Sequence, residues 1–171
     1  MSMQKLKVSS LTPIFFCLAV LSPTTGSYAD EGQVATTASV KTASCAEHPY
    51  SIDLEVHNVR KKKGLITVDL HDDNPDGFLN KSGLVDRVRT PAEKDVTRIC
   101  IPVERPGIYA IALYHDKDAN QKFNKNFLGI PSEPFGISND PRIGLKAPPH
   151  KAAAFDVQGP ATPVLITLRG R

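Results

Sequence analysis

"SIDLEVHNVRKKKGLITVDLHD", residues 51–72, alternates apolar and polar side chains on either side of a basic pentapeptide. Ile52, Leu54 and Val56 fall on one side of the pattern and Asp53, Glu55 and His57 on the other, and Ile66, Val68 and Leu70 repeat it. A period of two marks a half-buried strand, because successive side chains leave opposite faces of a pleated backbone. Between the two strands, "RKKKG" at 60–64 reads as a solvated hairpin turn rather than an anion site.

The same signal continues downstream. "VTRICIPV" (96–103) places Ile99, Ile101 and Val103 on one face and Arg98 and Cys100 on the other. "RPG" (105–107) turns the chain into "IYAIALYH", which is apolar on both faces and therefore predicts a central strand. "AAAFDV" and "PVLITLR", joined by "QGPAT", predict a last hairpin with Phe155, Val157, Val164, Ile166 and Leu168 directed inward. Adding a strand at 84–90 gives about seven strands punctuated by Gly and Pro, with no convincing helix. The expected fold is all-β: a single antiparallel β-sandwich, prealbumin-like or immunoglobulin-like.

At the N-terminus, Lys5 and Lys7 precede an apolar run at 11–21, and Ser27 and Ala29 occupy the small-residue positions of a cleavage site. This predicts a signal peptide over residues 1–29, too short in its apolar part to remain as a membrane anchor. Residues 30–48 read as a flexible lead-in and 49–171 as the sandwich domain. Without the leader, 142 residues carry 19 basic and 18 acidic side chains, a net charge of +1 that argues against a nucleic-acid partner. The expected location is periplasmic or secreted, with no transmembrane anchor after cleavage. In such an oxidising compartment Cys45 and Cys100 are expected to pair and to pin the N-terminal segment against the outer side of the strand that holds Cys100.

Chemical specialisation is concentrated in "YHDKDANQKFNKNFLGIP", residues 114–131. Asp116, Asp118, Asn120 and Asn124 fall at positions 1, 3, 5 and 9 of a calcium loop, with the Lys122 carbonyl at position 7. However, Gln121 stands where Gly permits the bend, and Phe127 where a bidentate Glu closes the shell. Glu133, beyond "FLGIP", can fold back to replace that Glu, although nothing in the sequence requires it. Asp and Asn also build Asx turns without any ion, so calcium and plain turn chemistry both stay open. A second metal set arises if the strands ending in "LHDD" and "YHDK" finish at one rim, which would bring His71, Asp73, His115 and Asp116 together. The competing reading makes His71 solvent-facing by parity and bonds His115 to a loop carbonyl. Phe123, Phe127 and Phe135, spaced among amides and carboxylates, form a candidate contact surface for an envelope protein, a glycan or a lipid headgroup. The alternative is that "FLGIP" folds back as the loop's own small core.

"PGIYAIALYHDKDANQKFNKNFLGIPSEPFGISND", followed by "APPHKAAAFDV", resembles the exported bacterial family known as domain of unknown function 2141. The likeness runs over about residues 51–168 and is strongest at 107–155. The resemblance implies a secreted or periplasmic β-sandwich similar to prealbumin-like modules, with no established activity. Members of that family carry Gly where this loop has Ala119 or Gln121, and Asp where it has Asn124.

Catalytic motifs are missing from the sequence: there is no Gly-x-Ser-x-Gly elbow and no His-Glu-x-x-His. "LRGR" at the C-terminus lacks the Tyr and Ser of the terminal motif of the prealbumin-like purine-pathway hydrolase. The expected function is therefore a non-enzymatic binding or accessory module of the cell envelope with a candidate weak calcium loop. A metal-dependent or prealbumin-like periplasmic hydrolase is the alternative.

Overall fold

The computed structural model describes residues 44–144 and 146–170, so the expected leader and most of the expected lead-in lie outside the described residues. Eight strands follow one another: β1 (Ser51–Val59), β2 (Leu65–His71), β3 (Leu84–Pro91), β4 (Asp95–Pro102), β5 (Gly107–Asp116), β6 (Phe135–Ile137), β7 (Phe155–Val157) and β8 (Thr162–Thr167). One helical turn, α1 (His150–Ala153), precedes β7. One sheet has the order β4-β1-β8. The other has the order β3-β2-β5-β6, with β7 paired to β5 as well. Because β6 pairs with Ala112 to Tyr114 and β7 with Gly107 to Tyr109, the two short strands share one side of β5 end to end.

Parity read the inner faces correctly. Ile52, Leu54, Val56, Ile99, Ile101, Val164 and Ile166 from the first sheet meet Ile66, Val68, Leu70, Ile111, Leu113 and Val157 from the second in one buried cluster. Phe155 packs against this cluster while only partly buried. This is the two-layer solution that sheets with one apolar face require. β5 is buried on both faces, as its composition demands, because Ala110 and Ala112 on its outer side lie in a second small core with Phe78, Ile137 and Ala153.

Strand pairing departs from expectation in three places. β1 and β2 belong to different sheets, so 60–64 is an arch across the sandwich and not a hairpin turn. The final hairpin is likewise absent, since β7 pairs with β5 and β8 pairs with β1. The β1–β8 pairing is parallel, so the sandwich is antiparallel except along that one ladder. A further change is local. Asn58, at φ +63, bulges out of the β1–β4 ladder and turns Val59 inward against the alternation.

Cys45 and Cys100 form a disulfide, with Cα atoms 5.3 Å apart. Cys100 is half-buried on the outer face beside exposed Arg98, as the alternation of β4 requires. The bridge holds a 3-10 turn at Cys45–Glu47, whose first carbonyl accepts a 2.6 Å hydrogen bond from Ser51 Oγ. The end of the expected lead-in is thus part of the folded body.

Candidate functional site

The ends of β1, β3, β5 and β8 and the starts of β2, β4 and β6 place four chain segments on one rim: the arch at 60–64, the β3–β4 turn, the loop at 116–134 and the chain end after β8. Asp116 is the last residue of β5 and fully buried. Its Oδ1 accepts from the Asn120 N–H at 3.1 Å and its Oδ2 from the Gln121 N–H at 2.7 Å. Glu133, 3 % exposed, folds back across the loop and accepts from the Lys117 N–H at 3.1 Å and the Asn124 N–H at 3.0 Å. Asp118 Oδ2 accepts from the amides of Asn120 and Asn124, and Asn120 Oδ1 accepts from the Lys122 N–H at 2.8 Å.

These bonds give the acidic residues a structural role: they satisfy N–H groups of a loop that has no ladder to join. They also bring one oxygen each from Asp116, Asp118 and Glu133 within 4.8 Å of one another, and a carboxylate oxygen that accepts one N–H keeps a further lone pair. Asp116, Asp118 and Glu133 are therefore the carboxylates of this loop placed to hold a hard cation together, with Glu133 in the closing position. For Asn120, Lys122 and Asn124 the placement shows turn and cross-loop hydrogen bonding.

Ala119 and Gln121 adopt φ of +56° and +63°. The two positions at which the resembling family carries Gly are thus left-handed here, where a Cβ costs roughly 1–2 kcal/mol. Gln121→Gly is expected to raise stability by up to about 1 kcal/mol once the greater freedom of Gly in the unfolded chain is offset. Denaturant titration of the two proteins checks this; a lower midpoint for the Gly variant would mean that the Gln121 side chain holds the loop.

The arch at 60–64 is fitted to this loop. Lys63 O accepts from His115 Nε2 at 2.7 Å, and Gly64 O accepts from the Ala92 N–H at 3.1 Å. Gly64 has φ +78 and lies directly against the backbone of Asp116 and Lys117. His115 is therefore the strand-end residue bonded to a loop carbonyl.

The second metal set is not assembled. In the antiparallel β2–β5 ladder His71 pairs with Ala110, whereas His115 pairs with Ile66. Five residues at about 3.4 Å each separate the two histidines along the sheet, roughly 17 Å. No ion bound at about 2 Å can bridge that distance. Asp73 lies exposed at the His71 end, and Asp116 at the other.

His71 also corrects its parity reading. It lies on the outer face of its sheet yet is only 2 % exposed, because the 72–83 loop covers it. The Phe78 ring stands edge-on to His71 at 5.4 Å and to His150 at 5.5 Å, and His150 Nε2 donates to the Asp72 carbonyl at 2.9 Å. Burial pushes the His71 imidazole below the ordinary histidine value, against smaller upward pulls from Asp69, the Gly83 backbone and Asp72 and a further downward one from His150. The unfolded chain then binds a proton at His71 before the folded one does, so stability falls as pH drops below about 6.5. Urea midpoints at about pH 7.5 and 5.5 are expected to differ less in His71→Gln than in the parent. An unchanged difference would show that His71 is not the source of the acid sensitivity.

Of the three contact phenylalanines, only Phe127 is exposed. Phe123 and Phe135 are half-buried: the Phe123 ring lies tilted against Tyr114 at 5.1 Å and meets the Phe135 ring edge-on at 5.8 Å. They form the loop's own small core. "FLGIP" does the opposite: Phe127 is 94 % exposed, Leu128 67 % and Ile130 55 %. Sequence reasoning missed Ile130. The signal was Asn126 and Gly129, whose turn chemistry implies a tip and not a buried segment.

At the opposite rim a cleft of about 200 Å³ is lined by Asp72, Asp73, Arg105 and Tyr109, among others. The Tyr109 hydroxyl donates to the Arg105 carbonyl. No Ser, Cys or His lines that cleft, so a nucleophile paired with a base is not assembled there.

Over residues 54–164 the chain matches the family described as an uncharacterized protein conserved in bacteria, domain of unknown function 2141, and it belongs to that family. The match runs from the middle of β1 to β8 and takes in the whole rim loop. No curated protein and no solved structure shows significant similarity to the chain.

Proposed function

We propose that the protein is an exported, non-enzymatic β-sandwich module of the cell envelope that contacts its partner through the tip of the 116–134 loop. The observation that carries this reading is the exposure of Phe127 and Leu128 on a turn fixed by its own hydrogen bonds. Asn126 Oδ1 accepts from the Leu128 and Ile130 N–H groups at 2.9 and 3.0 Å, and the Asn126 N–H donates to the Ile130 carbonyl at 2.8 Å. Large apolar side chains held out on an ordered tip stabilise nothing within the chain, and such patches mark contact sites. Export is supported by the charged and apolar leader pattern and by the disulfide. The test places a photoreactive residue at position 128, or at exposed Val85 on β3 as control, and irradiates intact cells. Cross-linked product is expected from 128 and not from 85. Equal yields, or none, would remove the tip as a contact surface.

A second reading concerns the neck of the same loop, where Asp116, Asp118 and Glu133 converge. Three carboxylates without a full oxygen shell suit a weak calcium site, with a dissociation constant no tighter than about 0.1–1 mM. Calorimetric titration of the parent against an Asp116→Ala, Asp118→Ala variant decides it. Absence of heat and of a calcium-dependent melting shift at about 10 mM, well above that range, leaves turn formation as the role of these groups.

A further inference from the structure

We infer that the partner of the loop tip is a bilayer surface rich in anionic headgroups, into which Phe127, Leu128 and Ile130 insert. This rests on the reading of the tip as a contact surface. Three observations favour lipid over a protein groove. The first is the distribution of charge. Exposed Arg60, Lys61, Lys62, Lys63, Lys94, Lys122 and Lys125 crowd the rim that carries the tip, while exposed acids there are confined to Glu93, Asp95 and Asp118, and Glu93 is paired to Lys62 at 2.7 Å. At the far rim the balance turns slightly acidic, with Glu47, Asp73, Asp76, Glu104 and Asp156 exposed against Lys81, Arg105 and Lys151. A chain that carries a net charge of only +1 without its expected leader thus presents one cationic end, and a lysine or arginine near an anionic leaflet is attracted within a Debye length of it.

The second observation is the hydrogen bonding of the tip. A segment that enters the headgroup and acyl boundary must satisfy its own polar backbone. Here the Leu128 and Ile130 N–H groups are taken by Asn126 Oδ1, the Gly129 N–H by the Asn126 carbonyl, and the Ile130 carbonyl by the Asn126 N–H. The third is shape. The apolar residues sit on a convex turn closed by the Lys125–Pro131 bridge, with Lys125 at its base placed 5.9 Å from the Phe123 ring centroid. An apolar point with a basic collar is the arrangement that lies in an interface rather than across it.

The experiment uses the full chain expressed for export and recovered in processed form, sedimented with vesicles of phosphatidylcholine alone or of three parts phosphatidylcholine to one of phosphatidylglycerol. Binding is expected with the anionic vesicles only, and is expected to weaken as salt rises. Phe127→Ser with Leu128→Ser should lower the partition by at least about tenfold, since each buried side chain of that size is worth roughly that factor or more. Leu165→Ser, at an exposed apolar residue on β8 outside the tip, should leave it unchanged. Lys122→Gln with Lys125→Gln should lower it several-fold and flatten the salt dependence. Equal melting temperatures for parent and variants show that the fold is intact. Three results would overturn the inference: no sedimentation with anionic vesicles, equal sedimentation with both kinds, or indifference to the tip variant. If vesicles fail while position 128 still cross-links to a protein in cells, the tip is a contact surface for protein and only the bilayer is wrong. Failure of both removes the contact reading itself.

Discussion

Gly64→Val is expected to destabilise the protein by about 3–5 kcal/mol, a large share of the stability of a small domain. Two costs combine. Gly64 has φ +78, a conformation that a β-branched residue essentially never adopts. Its α-carbon also rests against the exit of β5, so an added Cβ would collide with the Asp116 carbonyl and come within 2.9 Å of Lys117 Cα. Both of those atoms belong to backbone fixed by the β2–β5 ladder, by the bond from the Lys117 N–H to Glu133 and by the turn onto Asp116, and backbone cannot rotate aside as a side chain can. Gly129 separates the two costs. It has φ +76 and nothing within 4 Å of a built Cβ, so Gly129→Ala should cost only about 1 kcal/mol. Urea denaturation of Gly64→Ala, Gly64→Val and Gly129→Ala checks the order. If Gly64→Ala matches Gly129→Ala, the arch yields by moving off β5 and the collision is unimportant.

That arch also shows where the sequence stops being legible. Alternation tells which face of a strand is apolar, and Ile52, Leu54, Ile66 and Ile101 are in the core as their parity requires. It says nothing about which strand lies alongside. A five-residue connector such as "RKKKG" or "QGPAT" can close a hairpin or cross between sheets, and here both cross. The same gap in information produced the false meeting of His71 with His115, which needed β2 and β5 to end together when they run in opposite directions. The outer face of β2 was misread for another reason. Parity placed His71 outside the main core correctly, but being outside that core is not exposure when Phe78 and His150 close over the sheet. In the rim loop, residue types predicted the Asx chemistry and left Glu133 as a candidate. Its burial across the loop depends on where β6 joins β5, which no local pattern encodes.

Reduction of the Cys45–Cys100 bridge is expected to cost at most about 4 kcal/mol and to lower the melting temperature by roughly 10–20 °C. The bridge closes a sequence separation of 55 residues, and on the chain-entropy account the unfolded chain gains most when a long loop is released. Few other contacts would hold its N-terminal end. The Cys45–Glu47 turn buries no residue, and its attachment to the body is the Ser51 Oγ bond to the Cys45 carbonyl together with the bridge. Ser51 is itself committed elsewhere, since its Oγ also accepts from the Ala161 N–H at 2.8 Å, and Tyr50 next to it packs on the core with its carbonyl bound to the Val103 N–H. Fraying that begins at Cys45 therefore stops at Tyr50, and the reduced protein should unfold at a lower temperature but in a single transition. The rim loop lies at the other end of β1 and β4, so below the new melting temperature reduction should not alter what the tip binds. Calorimetry with and without reductant, and a Cys45→Ser, Cys100→Ser variant that reductant no longer affects, provide the measurement. An unchanged melting temperature on reduction would mean that the unfolded chain already holds residues 45 and 100 close together, and that the bridge serves export or protease resistance instead of equilibrium stability.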